Sequence, residues 1–167
     1  VSGTAKEILK YPRATVDYVE LDPLILQIGR RFLPENLADP RIEVINTDGR
    51  QFLRRSDRRY DVVLVAVPDP STFQINRFYT REFFAEVKRR LASDGVLAIS
   101  LGHYENRLSA ELARLIAVAH RTLNAEFRNV LVLPAMRNWF LASDGPLSAE
   151  IASALERHRI PTQLLKR

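Results

Sequence analysis

Apolar positions change their spacing repeatedly along the chain, and each change marks an element. Residues 15–21 read as a strand, and residues 23–33 as a helix that turns Leu24, Ile25, Ile28 and Phe32 inward on one stripe. Residues 41–46 form the next strand, followed by a short helix over 49–55. The run 60–67 is almost continuously apolar, as expected of a strand covered on both faces. Residues 80–91 read as a helix with Phe83, Phe84, Val87 and Leu91 on its buried face, and 96–101 as another buried strand. A long helix follows over 107–123, carrying Leu108, Leu112, Leu115, Ile116 and Leu123. Two late strands, 127–133 and 138–142, flank Pro134, with Trp139 and Phe140 in the core. A last helix covers 147–158.

Strand and helix alternating at this spacing predict a doubly wound α/β sheet, organised as a single domain over residues 1–167. In such sheets a ligand lies beyond the carboxyl ends of the strands. That rule directs attention to segments 1–4, 20–22, 48–49, 66–76 and 102–105.

Composition narrows the chemistry. The chain has no cysteine, which removes disulfides and thiolate metal sites, and its three histidines are scattered, so no metal site is expected. No apolar run reaches the ~18 residues of a membrane span, and Val1 does not open a signal peptide. The chain as given is expected to be soluble and cytoplasmic. Its formal charge of +5 comes largely from arginine, clustered at Arg50, Arg54, Arg55, Arg58 and Arg59 and again at Lys88, Arg89 and Arg90. Contact with nucleic acid or an anionic membrane is one reading. Solvated outer faces of amphipathic helices are the simpler one, and no nucleic-acid partner is expected.

Several side chains fall on the ligand edge. Glu20 ends the first predicted strand, 17 positions after Gly3. An acid there in a Rossmann-like fold accepts hydrogen bonds from both ribose hydroxyls, at about 20 residues from the glycine turn; the other reading is a solvent-facing strand-end glutamate. Asp22 before Pro23 has the form of a helix N-cap. Asp48-Gly49 closes the next strand. The aspartate could accept from an adenine amine or cap the following helix, and one side chain could do both. Pro68-Asp69-Pro70 is a stiff loop that could hold a carboxylate at the edge, or a plain turn. Residues 73–79 could form a lid, with Phe78 or Tyr79 stacking on a ligand or packing into the core. His103, followed by Tyr104-Glu105, is a candidate base near neutral pH, although a lone loop histidine is more simply a surface residue.

Taken in order, these segments resemble the spermidine synthase family of aminopropyltransferases. The resemblance runs through Glu7-Ile8-Leu9-Lys10-Tyr11-Pro12, Val19-Glu20-Leu21-Asp22-Pro23 and Thr47-Asp48-Gly49-Arg50. It continues through Tyr60-Asp61-Val62-Val63, Pro68-Asp69-Pro70, and Phe78-Tyr79 before Glu82-Phe83-Phe84. It covers about two thirds of the chain, residues 3–101, and implies the sheet shared with class I S-adenosylmethionine-dependent methyltransferases. It also implies transfer of an aminopropyl group from decarboxylated S-adenosylmethionine to a polyamine amine, releasing methylthioadenosine. Gly3, Glu20, Asp48 and Gly49 would then bind the nucleoside, and Asp69 and Tyr79 the amine substrate, without a metal.

The chain departs from the family pattern at three places. The family's catalytic acid at the end of the fourth strand is Ala66 here, leaving Asp69 and His103 as the candidates for catalysis. The aspartate of the glycine-rich loop falls on Val1, with only Ser2 and Gly3 matching the end of that loop. The first, central strand of the family's sheet has no counterpart. The chain is therefore expected to be a fragment of a longer protein, and in isolation to bind nucleoside poorly. Some bacterial relatives join this domain to membrane spans, which would put it at the cytoplasmic face, and a homodimer is a further expectation. Two other readings stay open: a methyltransferase using intact S-adenosylmethionine, and a non-catalytic nucleoside-binding module.

Overall fold

A computed structural model describes residues 3–103 and 108–161; Val1, Ser2, Tyr104 and Glu105, named above, and position 107, the expected start of the long helix, lie outside the described residues. The elements run α1 (Thr4–Ile8), β1 (Val16–Glu20), α2 (Pro23–Phe32), a 3-10 turn (Pro34–Asn36), β2 (Ile42–Asn46), α3 (Gly49–Arg55) and β3 (Tyr60–Val65). They continue with α4 (Phe73–Asn76), α5 (Arg81–Arg90), β4 (Leu91–His103), α6 (Ala110–Asn124), β5 (Asn129–Leu133), β6 (Arg137–Ser143) and α7 (Ile151–Arg157). The α/β class expected from the alternation is what forms. The strands make two sheets, a parallel pair β1–β2 and a four-stranded sheet in the order β3-β4-β6-β5.

The chain groups into two compact units, Val1–Phe52 with Glu150–Arg167, and Leu53–Ala149. In the first unit, β1 and β2 run parallel with Val16 opposite Ile42 and Glu20 opposite Asn46. Arg41 locks the entry to β2. Its guanidinium pairs with Asp39 at 2.9 Å and donates to the carbonyl of Leu9 at 3.2 Å. The Arg41 guanidinium holds the Asp39 carboxyl below the usual carboxylate range. Helix α2 starts where the sequence predicts, but its apolar stripe faces the other way. Leu26 and Gly29 are the buried residues, while Leu24, Ile28 and Phe32 are 60%, 58% and 68% exposed. Periodicity identifies an apolar face correctly; it does not say which layer covers that face.

The second unit holds the main core. Phe83, Phe84 and Val87 of α5, Leu97, Ile99 and Leu101 of β4, Leu123 of α6 and Phe140 of β6 pack into one cluster. The predicted stripe on α5, including Leu91, is buried in full. Thr80 caps that helix by accepting the Phe83 N–H at 3.3 Å. Strand β4 begins earlier than the apolar run suggests, because Leu91 already pairs with Tyr60 before the register shifts to Val62 opposite Val96. Gly95 sits in that irregularity, where a Cβ would lie 2.8 Å from the Tyr60 carbonyl oxygen. The expectation that 60–67 is covered on both faces fails at Val62, which is exposed. As an edge strand in the four-stranded sheet, β3 pairs only with β4.

Four of the clustered basic residues of this unit, Arg54, Arg59, Lys88 and Arg90, bind groups within the unit itself. Arg54 pairs with the buried Glu86 at 2.7 Å, Arg90 donates to the Leu53 carbonyl at 2.8 Å and Arg59 to the Leu91 carbonyl at 3.1 Å. Lys88 pairs with Asp144 at 2.8 Å. An open hollow of about 570 Å³ is lined by Arg59, Lys88, Arg90 and their neighbours; Arg59 reaches the amino end of β4, opposite the ligand edge. Among the described residues no helix is long and apolar enough to cross a membrane.

Candidate functional site

Each unit has its own carboxyl-end edge, and the two are built differently. In the first unit the parallel register sets Glu20 beside Asn46, so the chain leaves both strands on the same side. Asn46 Nδ2 donates to the carbonyls of Glu20 at 2.8 Å and Leu21 at 3.0 Å, and the Thr47 N–H donates to the Glu20 carbonyl at 3.1 Å. These bonds fix the turn after β1. Glu20 is half-buried as a residue, and its Oε1 accepts the Asp22 N–H at 2.9 Å. Asp22 in turn accepts the Leu24 N–H at 2.8 Å with Pro23 at the first helical position, so the capping role read from sequence holds.

Asp48 Oδ1 accepts the N–H groups of Arg50 at 3.1 Å and Gln51 at 3.0 Å, which makes it the cap of α3, with Gly49 as that helix's first residue. Of the two roles open for Asp48 in the sequence, capping is present. Gly3 precedes α1 and its carbonyl accepts the Glu7 N–H at 3.1 Å. A Cβ at Gly3 would meet only Asn36 Oδ1, at 3.9 Å, so sterics alone do not demand glycine there.

The second unit brings Asp69, Tyr79 and the end of β4 together, and adds a partner the sequence did not suggest. Ala66 follows β3 directly and is exposed, with a methyl group that neither pairs with a cation nor accepts a proton. Asp69 Oδ1 accepts the Gly102 N–H at 3.2 Å and forms an ion pair with the Arg137 guanidinium. Arg137 Nε also donates to Ser100 Oγ at 3.3 Å. The topology explains the meeting. Since β6 is antiparallel to β4, its first residue, Arg137, lies opposite the last residue of β4, His103. Both therefore stand on the edge from which the loop carrying Asp69 departs.

Tyr79 closes this cluster from below. Its hydroxyl lies 3.0 Å from the Pro68 carbonyl oxygen and 3.1 Å from that of Ser100, so its one proton is shared between them. Burial, and then the Asp69 charge, push the phenol up to about 12, against an opposing effect of Arg137. Phe78 and Tyr79 both pack against the core, Phe78 edge-on to Phe83 at 5.2 Å. Phe73, on α4, is exposed. Gly102 turns the chain with φ +76°, a left-handed conformation, and a Cβ there would fall 2.7 Å from Leu112 Cδ1. His103 is exposed at the strand end. Among the described residues no group of three or more His, Cys, Asp or Glu could hold a metal ion.

Ser100, Gly102 and Arg137 are the residues of this cluster that sequence reasoning did not single out. A glycine just past an apolar strand was a readable signal for Gly102. Arg137 had none, because its placement depends on the direction of β6.

The chain matches the family model for the spermine/spermidine synthase domain over residues 2–139. It is 34% identical over 148 residues to a polyamine aminopropyltransferase of Oceanobacillus iheyensis, covering 81% of this chain and 28% of that one. A polyamine aminopropyltransferase of Clostridium perfringens is 31% identical over 129 residues, covering 75% of this chain and 44% of that one. The chain thus spans less than half the length of these relatives. Among solved structures, a spermidine synthase in complex with the transition-state analogue AdoDATO aligns with a TM-score of 0.79 at 21% identity, over 98% of this chain and 58% of that one. Human methyltransferase-like protein 13 in complex with SAH aligns with a TM-score of 0.72 at 22% identity, over 95% of this chain and 78% of that one. Those two likenesses show a fold common to both kinds of enzyme. With the family model matched over most of its length, this chain belongs to the spermine/spermidine synthase family.

Proposed function

We propose that the chain is the nucleoside-binding core of a spermidine synthase-like transferase, a single functional domain of a longer protein. Its ligand is decarboxylated S-adenosylmethionine or the product methylthioadenosine. Glu20 holds the ribose hydroxyls, Asp48 and Gly49 meet the adenine, and Gly3 lies in the turn beside the sulfur-bearing chain. Asp69 and Tyr79 stand on the side of the acceptor, a polyamine amine. In the transfer, the amine nitrogen attacks the aminopropyl carbon and the carbon–sulfur bond breaks. Methylthioadenosine leaves neutral, and the amine gives up a proton. With Ala66 in place of the family acid, Asp69 and His103 are the side chains left to take that proton.

The observation that carries this reading is the family match through residues 2–139 with an acid, Glu20, at the end of β1. The Asp22 N–H on Oε1 fixes the direction of that acid. A second reading, a nucleoside-binding module without transferase activity, draws on Ala66, which replaces the family acid, and on the Asp69–Arg137 pair, which puts a cation on the remaining acid of that loop. Equilibrium binding to the full-length protein, using decarboxylated and intact S-adenosylmethionine, separates these from methyl transfer. The proposal expects the decarboxylated nucleoside to bind at least tenfold more tightly. Preference for the intact cofactor would favour a methyltransferase, and binding without turnover of an amine would favour the module.

A further inference from the structure

We infer that Arg137 is an internal competitor for the acceptor amine: its guanidinium occupies the carboxylate of Asp69 that a cationic substrate would otherwise pair with. This rests on the reading that places Asp69 on the amine side of the site. An alkylammonium group needs an anionic oxygen and a few further acceptors. Among the described residues at this edge, those acceptors are Asp69, Ser100 Oγ and the carbonyls of Pro68 and Ser100. Each already has a partner inside the protein. Arg137 pairs with Asp69 and donates to Ser100 Oγ. The Gly102 N–H takes a further share of Asp69 Oδ1 at 3.2 Å, and the Tyr79 hydroxyl lies on both carbonyls at 3.0 and 3.1 Å.

The backbone holds this arrangement in place. Arg137 is anchored at the start of β6 opposite His103, and Asp69 sits between two prolines. Gly102, in its left-handed turn, presents its N–H to the same carboxylate. A cation tethered on a neighbouring strand acts at an effective concentration on the order of millimolar or more. A free diamine must exceed that before it displaces the guanidinium. The Arg137 and Asp69 side chains are 34% and 36% exposed. An ion pair this open to water is displaceable, not locked. Arg137 therefore sets the threshold and selectivity for the amine instead of sealing the site. With Ala66 one step after β3, no second carboxylate among the described residues at this edge compensates.

The test is the affinity of 1,4-diaminobutane for the full-length protein, measured by calorimetric titration at fixed ionic strength. The proposal expects Arg137→Gln to bind the diamine at least tenfold more tightly than the unaltered protein, and Asp69→Asn added to that variant to abolish the gain. Arg137→Lys, which keeps a cation on the same strand, should restore weak binding. Ser100→Ala loosens the guanidinium without changing any charge and should give a smaller gain, of about two- to fivefold. It keeps the question answerable if Arg137→Gln folds poorly by circular dichroism. Equal diamine affinity in the unaltered protein and in the folded variants, including no measurable binding to any, would overturn the inference. Methylthioadenosine, which carries no aliphatic amine, is titrated in parallel. Its failure to bind counts against the nucleoside reading alone, because the diamine comparison does not depend on it.

Discussion

The two carboxyl-end edges of this molecule hold their acids by opposite means. In the first unit, Glu20, Asp22 and Asp48 each accept backbone N–H groups from residues two or three positions ahead. In the second, Asp69 is held by one backbone N–H and by the guanidinium of Arg137, 68 positions away. Backbone N–H groups orient a carboxylate without cancelling its charge. A guanidinium orients it and cancels it. The edge assigned to the nucleoside, whose ribose is neutral and needs only acceptors, has its carboxylates aimed by backbone N–H groups. The edge assigned to a cationic amine has a cation of its own.

Packing divides the units in the same sense. The second has Phe84 and Val87 at no exposure and a continuous core, while the first leaves the apolar stripe of α2 uncovered. The largest expected effect tests this directly. Phe84→Ala should cost about 3–5 kcal/mol in denaturant unfolding. Phe32→Ala, on the exposed stripe, should stay within about 0.5 kcal/mol. Comparable losses at both positions would show that something covers the α2 stripe.

The next effect concerns the turn that serves Asp69. Gly102→Ala forces an alanine into a left-handed conformation, worth roughly 1–2 kcal/mol, and requires the Leu112 methyl to move aside. Chemical denaturation measures the loss. In the first unit, Asp22→Ala removes the cap of α2 and should cost about 1 kcal/mol, whereas Asp22→Asn should cost much less because the cap needs an oxygen and not a charge. Equal losses for the two substitutions would mean that the charge of Asp22 matters.

An effect of similar size, but dependent on pH, is expected at Tyr79. Its raised pKa means that the folded state favours the protonated phenol. That contribution is whole below pH 10 and is lost as the pH rises from 10 through about 12. Tyr79→Phe should lower stability by about 1 kcal/mol near neutral pH and flatten the alkaline part of the stability curve. An unchanged alkaline limb would place its cause in other groups.

What the sequence disclosed follows the range of the interactions involved. The Asp22 cap, the Asp48-Gly49 helix start and the Phe83–Phe84–Val87 stripe depend on residues within one or two turns, and all were legible. The α2 stripe was legible as apolar, but the layer that covers such a face is a matter of tertiary structure, so Leu24, Ile28 and Phe32 were placed inward and are exposed. Val62 went the same way, since an edge strand and a central strand share one composition. The Asp69–Arg137 pair was out of reach. It exists only because β6 runs antiparallel to β4, and nothing near Arg137 states that direction.

The central claim is that the first unit's edge recognises a nucleoside through Glu20. Calorimetric titration of methylthioadenosine into the full-length protein, with and without Glu20→Gln, tests it most directly. The account predicts saturable binding by the unaltered protein and at least a tenfold loss with the amide, which accepts from the ribose without a charge. Binding that is unchanged by Glu20→Gln, or absent from the unaltered protein, would contradict it.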